Sequence, residues 1–113
     1  EATDFLVYDR IFDSTSLLVI WQIGVIGSLD YQKDFPQTGL KVLLSKLLTT
    51  YEPTHKVFIY EAAQYAFTEP RIDCIEMSDL ENHKITPIST LCIPPKKERH
   101  PNKSVLNLLG ISL

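Results

Sequence analysis

At 113 residues and 44% hydrophobic content, the chain has the size and apolar supply of one domain with a single buried core. A formal net charge of -3 gives no electrostatic reason to expect a polyanion, whose binding needs a basic face that displaces counterions, so no nucleic-acid partner is expected. No apolar run approaches the roughly 18 residues of a membrane span, and "EATDFLVYDR" carries acids where a signal peptide carries lysines; the reading is a soluble, cytoplasmic chain with no membrane partner.

In chain order, "EATDFLVYDR" sets Phe5, Leu6 and Ala2 on one helical face; its alternation would also suit a strand, and the helix is the favoured reading. The turn formers "FDSTS" follow. "LLVIW" is β-branched and apolar without alternation, which predicts a first strand covered on both faces. From Gly24 to Pro36 the glycines, proline and "SLDYQKD" predict an irregular loop. Leu40, Leu43, Leu44, Leu47 and Leu48 then repeat at helical spacing, predicting a helix that starts near Gln37 or Thr38, stops before Pro53 and buries all five leucines.

"KVFIYEA" predicts a second strand, "RIDCIEM" a third and more exposed one, and "ISTLCI" after Pro87 a fourth. "SDLEN" suits one helical turn with Ser78 as N-cap. The expected class is α/β: a mixed, partly antiparallel sheet of about four to five strands with packed helices. Residues 1–95 form the domain; the basic run in 96–113 is a solvated linker leading to an apolar tail, "SVLNLLGISL", with Gly110 ending a short helix. Glu1 begins the chain and Met77 is its only methionine, so an upstream segment is expected to have been removed.

Residue types alone point to no active site. The chain has four glycines and no GxGxxG, P-loop or GxSxG. Cys74 and Cys92 are too far apart for a CxxC half-site and read as two buried, reduced thiols, while His55, His83 and His100 read as isolated surface residues; no metal site is expected. What remains is a set of strand ends: "WQIG" after the first strand, "YEAAQ" after the second and "TPIST" entering the last. Ligands collect at such ends in open α/β sheets, and Gly24, Ala62 and Ala63 remove bulk so that a flat ring could approach the backbone. The same small residues also serve tight turns with no ligand involved.

The ordered succession "LLVIWQIGVIG", "EPTHKVFIYEAAQY" with "RIDCIEMSDL", and "ITPISTLCIPPKKE" resembles the C-terminal half of the tetrapyrrole (corrin/porphyrin) methylase superfamily, the class III S-adenosylmethionine-dependent methyltransferases. "EATDFLVYDR" and "LVIWQIGVIG" are most similar to the borosin-type peptide backbone N-methyltransferase branch, and "STLCIPP" also resembles methylase-like domains fused to nucleotide pyrophosphohydrolases. The resemblance covers roughly residues 1 to 95. It implies that Trp21, Gln22, Ile23, Gly24, Ala62, Ala63, Pro87 and Ile88 shape one wall of a cleft for S-adenosylmethionine or S-adenosylhomocysteine. Trp21 would anchor its strand in the core, Gln22 and Ile23 would face the cofactor, and Gly24 would let the chain turn away. Gln22 departs from the family's commoner methionine and adds a hydrogen-bonding amide.

The family's N-terminal domain, with its glycine-rich loop and catalytic residues, has no counterpart here, so no catalytic residue is assigned and the chain alone is expected to be inactive. The implied partners are that N-terminal domain, a second copy in a homodimer, and a peptide or small-molecule methyl acceptor. The alternatives are a catalytically inactive methylase-like module that binds a nucleotide or a protein, and a purely structural α/β domain.

Overall fold

A computed structural model of the chain describes residues 1–28 and 38–113. Helix α1 (Ala2–Val7) is followed by strand β1 (Leu18–Ile20), a 3-10 turn (Ile23–Val25), helix α2 (Thr38–Leu48) and strands β2 (Lys56–Glu61) and β3 (Arg71–Glu76). A second 3-10 turn (Met77–Asn82), strand β4 (Thr90–Ile93) and helix α3 (Lys103–Leu109) complete it. Most of the irregular loop predicted over 24–36, and Gln37 as a helix start, lie outside the described residues.

The sheet runs in the order β1-β4-β2-β3, and every ladder is antiparallel, so the expected mixed sheet is corrected to a purely antiparallel one among the described residues. The reason is the position of β4: it inserts between β1 and β2 and runs against both, pairing Val19 with Cys92 and Ile59 with Leu91. The period of two along each strand then sorts its side chains by face. Ile20, Val57, Ile59, Leu91 and Ile93 point inward, where they meet Phe5 of α1, Leu40, Leu43, Leu44 and Leu47 of α2, and Met77 and Leu80 of the second 3-10 turn. One helical layer on one sheet face encloses this core.

α2 follows its leucine pattern with one exception: Leu48, at its last position, is 38% exposed. α1 is capped by Glu1, whose carboxylate accepts the Thr3 and Asp4 amides. Lys46 ties α1 to α2, donating to the Phe5 carbonyl at 3.2 Å and to Asp9 at 2.7 Å. The Met77–Asn82 turn has no side-chain cap, so Ser78 does not play the N-cap role expected of it.

β1 is a three-residue edge strand covered on one face only; Val19 is 53% exposed, against the prediction of a strand covered on both sides. Cys74 is exposed and Cys92 half-buried, because both fall on the outward phase of their strands; neither is the buried thiol expected. The basic segment after Pro95 is docked rather than free: the Lys96 amide donates to the Ser14 carbonyl at 2.7 Å, its ammonium to the Thr50 carbonyl at 2.6 Å, and Arg99 to Asp13, Thr15 and Ser16. α3 ends at Gly110, which takes a positive φ of 67° as predicted for a helix stop, yet Leu108 and Leu109 face solvent.

Candidate functional site

Antiparallel pairing brings three chain reversals to one end of the sheet. Ile20 at the end of β1 lies opposite Leu91 near the start of β4, Tyr60 opposite Thr90, and Glu61 at the end of β2 opposite Arg71 at the start of β3. Residues 21–24, 62–63 and 86–89 therefore emerge side by side. Two open hollows form there. One, of about 510 Å³, is lined by Glu1, Trp21, Gln22, Pro87, Ile88 and Thr90. The other, of about 260 Å³, includes Glu61, Ala62, Ala63, Tyr65, Arg71 and Ile88. Ile88, 49% exposed, is common to both.

Six of the eight residues singled out from the sequence, Trp21, Gln22, Ala62, Ala63, Pro87 and Ile88, line these hollows, and three of the eight take a different role from the one expected. Trp21 does not anchor the core: Ile20 before it takes the inward phase, so the indole falls outward and is 59% exposed at the rim of the larger hollow. Ile23 does not face the hollow; it is 2% exposed within the core, beneath the rim. The reversal itself is made by Gln22, at a left-handed φ of 59°, and not by Gly24. Gly24 serves close approach: a Cβ there would lie 2.6 Å from the carbonyl carbon of Thr86 and closer still to its oxygen, so only glycine lets residues 22–24 pack against 86–87.

Sequence reasoning missed the polar network behind this rim. β2 turns Val57, Ile59 and Glu61 inward in succession, so a carboxylate lands where the core ends, and its side chain is 11% exposed. One oxygen accepts Arg71 at 3.0 Å; the other accepts the Thr86 hydroxyl at 2.6 Å and the Ser89 hydroxyl at 3.2 Å. Arg71 continues to Asp73 at 2.8 Å and to the Lys84 carbonyl at 2.6 Å, and His83 meets the same Asp73 oxygen at 2.8 Å. The Thr86 hydroxyl, then Arg71 and Ser89, hold the Glu61 carboxyl below its usual range. Asp73 is lowered by His83 first and Arg71 second. His83 is accordingly a half-buried hydrogen-bond partner of Asp73 rather than an isolated surface residue. The signal available in the sequence was the phase of Glu61 on an otherwise apolar inward face, which demands a partner.

Among the described residues no group of histidines, cysteines and carboxylates could hold a metal ion, and no helix is long and apolar enough to cross a membrane. What the rim offers chemically is an indole, a proline ring and Ile88 as flat apolar surface, the Gln22 amide as donor and acceptor, and backbone groups beside two alanines.

No family model matches the chain. It is similar, however, to several curated proteins. It is 33% identical over 116 residues, 98% of this chain, to a methyltransferase/ribosomally synthesized cyclic peptide gymnopeptides precursor of Gymnopus fusipes. It is 38% identical over 101 residues, 85% of this chain, to a methyltransferase/ribosomally synthesized type III borosin cyclic peptide precursor of Anomoporia bombycina. It is 32% identical over 116 residues to the omphalotin A precursor of Omphalotus olearius, also named a methyltransferase/ribosomally synthesized cyclic peptide precursor. The chain spans 28%, 12% and 28% of these relatives' lengths. Across nearly all of its residues, then, the chain is similar to one segment of borosin-type methyltransferase/cyclic peptide precursors.

Proposed function

We propose that this chain is the C-terminal, cofactor-holding half of a class III S-adenosylmethionine-dependent methyltransferase, in the borosin branch of the tetrapyrrole methylase superfamily, acting on a peptide backbone. The observation that carries the reading is the meeting of residues 21–24, 62–63 and 86–88 around Ile88 at one end of the sheet. The similarity to methyltransferase/peptide precursors supplies the chemistry to test there.

The residues fit the group. The hollows, of about 510 and 260 Å³, adjoin and are comparable with small-ligand sites, which run to several hundred Å³. Trp21, Pro87 and Ile88 would hold a flat ring by apolar contact, Gln22 would hydrogen-bond a base or ribose edge, and the backbone at Ala62 and Ala63 would approach without side-chain obstruction. S-adenosylmethionine, when bound, supplies an electrophilic methyl on a sulfonium. This chain's residues would bind and orient the donor, and methyl transfer needs a shielded, aligned cleft. A preceding N-terminal domain is proposed to supply the opposite wall and the catalytic groups, with residues 1–95 as the domain and 96–113 as an arm.

The exposed Val19, Trp21, Tyr60 and Ile72 on the outward sheet face, with Leu108 and Leu109 of α3, are proposed to meet that domain and a second copy in a homodimer. An exposed free thiol at Cys74 suits the reducing cytoplasm. The test is calorimetry of the full-length protein with S-adenosylhomocysteine. Saturable heat, lost in Ala63→Leu, supports the reading; no heat and no thermal shift at saturating ligand removes it. Sedimentation velocity over a wide concentration range tests the dimer, which a monomer at all concentrations would remove.

A further inference from the structure

The segment that carries Pro87 and Ile88 has no helix or strand of its own between Asn82 and Thr90, yet its atoms are tied down at every second or third residue. Arg71 holds the Lys84 carbonyl. Thr86 and Ser89 bind one another reciprocally: the Thr86 amide donates to the Ser89 hydroxyl at 2.9 Å, and the Ser89 amide to the Thr86 carbonyl at 3.0 Å. The Ile88 amide lies 3.4 Å from the Thr86 hydroxyl. Both hydroxyl oxygens accept from backbone and donate to Glu61, and they lie 3.4 Å from one another. The carbonyl of Thr86 meanwhile abuts Gly24. The ends of β1, β2 and β3 and the start of β4 are joined through one carboxylate and the loop it grips.

We infer that Glu61 is a positioning residue: by gathering the Thr86 and Ser89 hydroxyls and the Arg71 guanidinium, it fixes residues 86–88 where Pro87 and Ile88 wall the two hollows. The inference rests on the proposed donor site for its functional meaning, although the pin itself is a property of the loop. Three donors converge on Glu61, and a carboxylate is the side chain that can accept them all. A glutamine of the same shape keeps one acceptor oxygen and turns an NH2 either toward Arg71, which accepts nothing, or toward two hydroxyls that would then have to turn their protons away. Glu61 need touch no ligand for this effect.

The test uses Glu61→Gln, Thr86→Val and Thr86→Ser in the full-length protein, each held well below its melting transition. S-adenosylhomocysteine affinity is measured by calorimetry, and amide hydrogen exchange is read without ligand. Loss of the pin is expected to weaken binding about tenfold or more in Glu61→Gln and Thr86→Val, whereas Thr86→Ser, which keeps the hydroxyl, stays within about threefold of the native protein. The Ile88 and Ser89 amides should exchange about tenfold faster in the first two variants, with Ile59 in β2 unchanged. Native affinity in folded Thr86→Val and Glu61→Gln would overturn the inference, as would unchanged exchange at Ile88 and Ser89, or an equal acceleration at Ile59. If the native protein takes up no S-adenosylhomocysteine, the donor reading fails, and the exchange pattern alone still decides whether Glu61 pins the loop.

Discussion

Two carboxylates in this molecule are bound by nearly the same set of groups. Glu61 accepts two hydroxyls, Thr86 and Ser89, and one arginine, Arg71; Asp13 accepts two hydroxyls, Thr15 and Ser16, and one arginine, Arg99. Their surroundings differ. The Glu61 and Arg71 side chains are 11% and 24% exposed, those of Asp13 and Arg99 52% and 61%. Glu61 also joins β2 to the start of β3 and the loop into β4, whereas the Asp13 hydroxyl partners lie within three residues of it. Identical chemistry therefore has different weight: water replaces the Asp13 partners readily, but little water reaches Glu61.

Alanine substitution breaks the comparison most sharply. Glu61→Ala takes one of three acceptors from Arg71 and the shared acceptor from two enclosed hydroxyls, and is expected to lower unfolding free energy by about 3 kcal/mol. Asp13→Ala should move the urea midpoint far less, since solvent reaches Thr15, Ser16 and Arg99. Equal midpoint shifts in the two variants would show that burial does not separate the clusters. Removing the cation is the next largest step. Arg71→Met deprives Glu61 of one charged hydrogen bond while its hydroxyls remain, a loss of about 2 kcal/mol, and Arg99→Met should leave the midpoint close to native.

Acid sharpens the contrast. Asp13 is lowered from 3.8 to about 2, chiefly by the Thr15 hydroxyl and amide, and Glu61 is lowered from 4.5, chiefly by Thr86. Both folded values lie below the unfolded ones, so each carboxylate's contribution is complete above its unfolded value and is lost as pH falls through the folded one. Native stability should thus decline as pH falls below about 4.5 through Glu61 and below about 3.8 through Asp13, whose part is lost toward pH 2. Glu61→Gln and Asp13→Asn should each remove their own part of that decline. Salt near 0.5 M should weaken only the exposed contribution, because screening acts poorly on an enclosed pair. Urea midpoints across pH, with and without salt, read both effects.

How far each cluster could be read from sequence follows the same division. The Asp13 turn was legible as "FDSTS", because its hydroxyl contacts span two and three residues. The leucines of α2, the strands β2 to β4 and the Gly110 stop were legible for a similar reason, each being a local period or a local backbone demand. The Glu61 network joins residues 10, 25 and 28 positions apart, and no local pattern encodes such a meeting. Strand direction was equally hidden: the insertion of β4 between β1 and β2 is a long-range choice, and it made the sheet antiparallel and turned Trp21 outward. The three reversals were nevertheless identified from small residues at strand ends, and they lie together, with Ile23 withdrawn into the core and Gly24 serving packing instead of turning.

A third polar group completes the series, because it has no hydrogen-bond partner among the described residues. Tyr51 is 2% exposed, stacked on Phe12 with ring centroids 6.0 Å apart and set against His55 at 5.0 Å; its hydroxyl is buried without a hydrogen bond among the described residues. Burial, and then the charge of nearby Asp13, push its phenol above the ordinary value, which keeps it neutral. The aromatic ring supplies the packing, and among the described residues the oxygen gains no hydrogen bond from it. Tyr51→Phe keeps the stack and deletes the orphaned group, so stability is expected to stay level or rise by up to about 1 kcal/mol, the smallest effect of the set. The urea midpoint of this variant measures it directly. A fall of more than about 1 kcal/mol would mean that the hydroxyl has an acceptor, such as an enclosed water bridging toward Asp13, and would move Tyr51 from the unpartnered class into the one Glu61 represents.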